Sequence, residues 1–171
     1  YQDFSLKPFS KRSNAKALLQ IGNTLIPYGL LWWLMLQAAA VSLWLTPPFL
    51  IVLSLFSLRS FSLMHDCGHG SFFKSRKANQ KLGFITGLLT FTPFHHWRWE
   101  HSVHHATTGD LSRRGMGDIW TLTVKEYLES SRWRKFSYRL VRNPFVLFVF
   151  APLFLFLVIQ RIPAGKAKPK E

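Results

Sequence analysis

Between Leu25 and Leu45 the chain carries 21 consecutive residues without a charge, and only Thr46-Pro47-Pro48 separates this run from a second apolar stretch, Phe49 to Met64. Wound as a helix, the first run is about 31 Å long, close to the roughly 30 Å of hydrocarbon in a bilayer. Thr-Pro-Pro is a turn signal, and Pro48 suits the first position of a following helix. The pattern predicts a helical membrane hairpin that returns His65 to the side on which the chain began.

The remaining composition supports a membrane chain. Of 171 residues, 48% are hydrophobic, and they come in blocks rather than amphipathic stripes. The first run is too long for the apolar core of a signal peptide, and a second follows it at once, so an uncleaved anchor is expected. The net charge of +14 gathers in segments that flank the apolar runs: Lys7, Lys11, Arg12 and Lys16, then Lys74, Arg76, Lys77 and Lys81, then Arg132, Arg134 and Lys135. Such placement fits cytoplasmic segments against anionic lipid and argues against nucleic acid as a partner. The single cysteine, Cys67, excludes an internal disulfide and a CxxC metal site, and is read as a small packed residue. The chain opens on Tyr1 and lacks a finished domain after its last apolar block, so a fragment of a longer protein is expected.

Along the chain, residues 1–24 read as a cytosolic lead-in, 25–45 as the first span and 49–64 as the second. The second run is short, so its helix is expected to continue through His69 although Gly68 weakens it. Arg59 lies about 9 Å deeper than His65 along that helix, where a charge faces protein or water; it is a snorkelling or paired residue, or a partner for a site carboxylate. Residues 82–94 are apolar but too few to cross, and are expected at the interface or re-entering. Trp97, Trp99, Trp120 and Trp133 suit a headgroup belt. A loop is expected over 107–118 and a basic amphipathic helix over 121–140. A third apolar segment, 145–160, is expected to kink at Pro152 and either cross or re-enter.

All seven histidines fall between His65 and His105. His65 and His69 stand at i and i+4, and His101, His104 and His105 at i, i+3 and i+4, so each set projects from one helical face. Imidazole nitrogens so placed are good ligands for transition metals. With no thiolate pair and few carboxylates nearby, a nearly all-imidazole site follows, and the residues themselves leave zinc and iron open.

His65-Asp66-Cys67-Gly68-His69-Gly70-Ser71-Phe72-Phe73 resembles the first histidine box of the membrane fatty acid desaturases. Trp97-Arg98-Trp99-Glu100-His101-Ser102-Val103-His104-His105, followed by Ala106-Thr107-Thr108-Gly109-Asp110, resembles their second. The HDCGH form especially resembles the acyl-lipid desaturases of bacteria and plastids that act at the Δ12 or ω3 position. The resemblance covers most of the chain. It implies an all-α integral membrane helical bundle of four spans under a cytosolic histidine-bearing cap, with a di-iron centre held almost wholly by histidine. By motif position His65, His69, His101, His104 and His105 are the implied iron ligands, with no catalytic side chain beyond them. Asp66 and Glu100 adjoin ligands and are candidates to orient their rings, or else solvated acids; His96 and His95 are given supporting or interfacial roles.

The family also carries a third box of the form HxxHH or QxxHH, whereas no histidine follows His105 here. The chain is therefore expected to be the N-terminal part of a desaturase, inactive by itself. The implied reaction introduces a cis double bond into an acyl chain with O2 as co-substrate. The substrate would be an acyl lipid, acyl-CoA or acyl carrier protein, and electrons would come from a ferredoxin or a cytochrome. The implied location is the bacterial inner membrane, with the boxes on the cytoplasmic side. A related di-iron hydroxylase or ketolase is the enzymatic alternative. A membrane metal-binding or transport protein, or a haem-binding anchor, is the alternative of another class.

Overall fold

Ser13 starts the first helix: its side-chain oxygen accepts from the Lys16 N–H at 3.4 Å, satisfying one of the orphan donors of the first turn. The computed structural model describes residues 11–115 and 118–162, and in it α1 runs Asn14–Val41. It begins well before Leu25 because Ala15, Lys16, Ala17, Leu18, Leu19 and Gln20 are all strong helix formers, so the lead-in from Asn14 onward joins the span. Residues 1–10 lie outside the described set. At the other end Ser42 turns extended (φ −161°, ψ 133°), and a short 3-10 turn, Leu43–Leu45, reverses the chain. Thr46-Pro47-Pro48 is thus not the turn itself but the first turn of α2 (Thr46–Gly68), where a proline needs no N–H. Gly68 is the last helical residue and His69 the cap; the stop comes at Gly70, whose φ of 66° is easy only for glycine.

Two helical stretches, Asn14–Val41 and Leu43–Gly68, are long and apolar enough to cross a membrane. They pack through Tyr28, Met35 and Leu53, with Leu31, Phe49 and Phe56 around them. Ser75 caps α3 (Arg76–Leu89) by accepting from Ala78 N–H at 3.3 Å. Segment 82–94 is consequently two things: the second half of α3, and a reversal in which Phe91 takes a positive φ of 55° and Thr92 N–H donates to Gly87 O at 2.8 Å. The reversal returns Phe94, the first residue of α4 (Phe94–Thr107), onto α3. It fits because Gly83 and Gly87 have no side chain: a Cβ at Gly83 would lie 2.4 Å from the Phe94 ring, and one at Gly87 would lie 2.8 Å from Thr92 O. Met64 is wholly buried and approaches the same face.

Asn79, 2% exposed, ties the α2–α3 connection together. Its carbonyl accepts from Phe73 N–H at 2.8 Å, and its amide donates to Phe73 O at 2.9 Å and Ser75 O at 3.0 Å. Cys67 is buried, as a packed residue should be.

The chain divides into two compact units, Tyr1–Phe94 and His95–Glu171. In the second, the expected basic helix over 121–140 is two helices, α5 (Val124–Glu129) and α6 (Arg132–Val141). Ser130 and Ser131 are both extended (ψ 151° and 158°), and Ser131 caps α6 by accepting from Arg134 N–H at 3.2 Å. Thr123 and Glu126 form a reciprocal capping box at the start of α5. Beyond α6 the apolar segment is a π-helical turn, Val146–Phe150, continuing into α7 (Ala151–Leu157). A bend of 62° separates α6 from this segment, between Val141 and Val146. Asn143-Pro144 sits there, and the proline cannot continue the ladder of α6. Pro152 instead follows the widened π turn, where the missing N–H is tolerated. Every helix is α, 3-10 or π, and the described residues contain no strand.

Candidate metal centre

Helical periodicity sets the first histidine pair. His65, in the last turn of α2, and His69, its cap, are one turn apart, and their Nε2 atoms lie 3.3 Å from each other. His65 Nδ1 is 3.2 Å from Asp66 Oδ1. An Nδ1–H donated to that carboxylate leaves the lone pair on Nε2, the atom facing His69.

The second pair repeats the geometry on α4. His101 and His105 are i and i+4, with Nε2 atoms 3.0 Å apart. Trp97, one turn earlier, lays its ring on His101 at a centroid distance of 4.5 Å and an interplanar angle of 17°. The stack leaves the edge of the imidazole toward His105.

These separations suit a metal. Two bonds of about 2.0–2.1 Å at a right angle put ligand nitrogens about 2.9 Å apart, and a tetrahedral angle puts them about 3.4 Å apart. Both pairs, at 3.3 and 3.0 Å, fall in that window. All four rings are half-buried or exposed, so an ion has access.

Three other expected residues are placed differently. His104 is turned to Asp118: its buried Nδ1 is 3.0 Å from Asp118 Oδ1, a close approach that is not aligned as a hydrogen bond. Its Nε2 is 3.3 Å from Thr108 Oγ1, whose hydroxyl already donates to His104 O at 2.6 Å and therefore faces the ring as an acceptor. Glu100 contacts His96, Nε2 to Oε1 3.3 Å, following the i, i+4 rule rather than chain adjacency to His101. His96 also stacks on Trp99 at 6.1 Å. Asp118 and Trp97 were not among the expected site residues. Trp97 had a signal, its i, i+4 spacing from His101; Asp118, in an irregular loop, had none.

That loop is held by charge. Arg114 grips Glu126 with both guanidinium nitrogens, Nη1 to Oε2 at 3.0 Å and Nη2 to Oε1. This grip, with the Thr123 backbone and hydroxyl donors, lowers the Glu126 carboxyl to about 2 and raises the Arg114 pKa. Hydrogen bonds from Ser112 and then Arg113 likewise hold Asp110 at about 2.

A family model described as fatty acid desaturase matches residues 42–171, three quarters of the chain and both histidine pairs. The chain belongs to the fatty acid desaturase family. It is 44% identical over 163 residues to a fatty acid desaturase of Bacillus subtilis, a match covering 95% of this chain and 46% of that protein. Two Synechocystis relatives are an sn-1 acyl-lipid omega-3 desaturase (ferredoxin), 32% identical over 54% of this chain and 26% of its own, and an sn-1 oleoyl-lipid 12-desaturase, 36% identical over 50% and 24%. The chain thus spans less than half the length of these curated relatives. No solved structure matches it. Family and apolar helices together make this a membrane protein with a histidine-based metal site.

Proposed function

We propose that this desaturase-family chain supplies histidine ligands to a di-iron centre that inserts a cis double bond into an acyl lipid. The observation that carries the reading is the pair of Nε2–Nε2 separations, 3.3 and 3.0 Å, each matched to two ligands on one ion. His65, His69, His101 and His105 hold metal through Nε2, each pair offering two ligands to one ion. His104 joins them when its Nε2 exchanges the Thr108 hydroxyl for metal while Asp118 keeps hold of Nδ1.

Removal of hydrogen from an unactivated methylene lies beyond side-chain acids and bases, and non-haem iron with O2 is the chemistry that bound metal supplies here. The protein's own part is orientation. Asp66 fixes the tautomer of His65, Trp97 fixes the plane of His101, and Asp118 fixes the ring of His104. Glu100 and His96 form a neighbouring pair on the same helix.

Acyl lipids are the proposed substrate because two relatives bear acyl-lipid names, and a ferredoxin is the proposed electron donor because one of those names includes it. The basic residues before α1 and between α2 and α3 favour the cytoplasmic face of a bacterial inner membrane for the histidines. A transport path is less well supported: transporters place polar sites near the midplane, whereas His65 and His69 sit at the end of α2.

The test is expression of the full-length protein in a host without its own desaturase. The expected result is about two irons per chain and new cis double bonds in membrane lipid, both lost in His101→Ala. Unsaturated product at the normal level from His101→Ala would overturn the ligand assignment.

A further inference from the structure

Arg59 is the one Lys or Arg of α2, and α1 contains no Asp or Glu. Among the described residues its guanidinium makes a single hydrogen bond, Nη2 to Asn23 Oδ1 at 2.6 Å. The acid on α2, Asp66, is about 10 Å away along the helix axis and faces His65. A guanidinium has five donors in a flat fork, so most of this one's capacity is unused.

The group does not stand in bare lipid. A recess of about 240 Å³ opens beside it, lined by Gln20, Arg59, Ser62, Leu63 and Asp66. Leu19 and Ile26 on α1 and Leu55 and Leu58 on α2 are exposed, an apolar surround for a polar notch. A charge at this depth needs a counter-charge, and the acid that shares the recess, Asp66, lies two helical turns away with its carboxylate against His65 Nδ1.

We propose that Arg59, with Asn23 and Gln20, is a binding site for the phosphate of a membrane phospholipid, held at the α1–α2 groove. The fork of Arg59 matches two phosphate oxygens, and the Gln20 amide adds a donor one turn nearer the mouth. Asn23 holds the guanidinium in register from the facing helix. The charge balance selects the source: Asp66 at the rim repels a free phosphate, which is close to doubly charged at neutral pH, more than the single charge of a phosphodiester arriving from the lipid side. Ser62 spends its proton on Leu58 O at 3.2 Å and so lines the notch without adding a donor. None of this depends on the metal reading.

Native mass spectrometry of the membrane-extracted protein is the first experiment. Wild type is expected to retain one phospholipid per chain, Arg59→Gln at least about fivefold less, and Arg59→Lys an intermediate amount. Equal retention by wild type and Arg59→Gln overturns the site. A second measurement needs no variant: a phospholipid carrying a photoreactive group beside its phosphate should label the wild-type segments containing Gln20–Asn23 and Arg59–Ser62. Labelling confined to other segments overturns it as well. Displacement of the lipid by millimolar inorganic phosphate would assign the notch to a free anion instead and end the lipid proposal.

Discussion

The two histidine pairs have the same local geometry and opposite support. His65 and His69 end a helix whose neighbours Met64 and Cys67 are buried, in a unit that also buries Thr24, Ser60, Asn79 and Thr86. His101 and His105 ride on a helix whose buried residue is Phe94, and no described residue from His95 onward is buried. Packing therefore positions the first pair, while discrete partners position the second and its neighbour His104: Trp97 on His101, Asp118 on His104, and Arg114–Glu126 holding the following loop. Interiors resist displacement because any shift opens voids or creates overlaps. Pairwise surface contacts can be removed one at a time, and each removal should be felt separately.

The largest effect should come from the packed side. Gly87→Ala places a methyl 2.8 Å from a backbone oxygen, which cannot swing away as a side chain can, and should destabilise the first unit by about 3 kcal/mol. Denaturant titration followed by ellipticity checks this, with Gly22→Ala as control, since its nearest neighbour is a side-chain methyl at 3.9 Å. Equal stability of the two variants would break the view that tight packing fixes the α2–α3 region.

Next in size is the removal of single partners around the second pair. Asp118→Asn should weaken metal binding roughly tenfold, and Trp97→Leu about fivefold, with helix content unchanged in both. The matched change on the packed side, Asp66→Asn, should cost only about threefold, because α2 itself still aims His65. Competition against a chelator of known affinity measures all three. An Asp66→Asn loss larger than that of Asp118→Asn would reverse the comparison.

Much of this contrast was legible in the chain, but unevenly. Charge-free runs announce membrane helices because length and apolarity are the whole requirement for a span, and histidines four apart announce a shared face because helical geometry is local. The ends of elements were less visible. α1 starts at Asn14 rather than at the apolar run because propensity and the Ser13 cap extend a helix past the point where hydrophobicity begins. Glu100 adjoins His101 in sequence, yet the helix hands it to His96, so adjacency misled where the i, i+4 rule would have served. Asp118 reaches His104 through an irregular loop, and no periodic rule reports such a closure. The Ser130-Ser131 break was hidden for a related reason, since serines that cap one helix look like any polar residues inside a longer one.

The smallest effect concerns the loop's charge, and its sign follows from the direction of the shifts. Glu126 is held at about 2, below the usual carboxylate value, by Arg114 and then Thr123. A depressed folded-state pKa adds stability that is fully present above the unfolded value, near 4.5, and is lost as pH falls toward 2. Because the pair is solvent-accessible, its contribution is screened and modest. The capped first turn of α5 should therefore loosen between about pH 4.5 and pH 2 in wild type, visible as faster amide exchange at Tyr127, whose N–H donates to Thr123 O at 2.9 Å. Glu126→Gln should exchange faster already at neutral pH and show little further change over that interval, while the Asp110 turn, held by Ser112 and Arg113, keeps its own acid transition and serves as the internal control. If wild type and Glu126→Gln traced the same exchange profile, the Arg114–Glu126 grip would not be what orders the loop, and the second unit would need a support other than its charges.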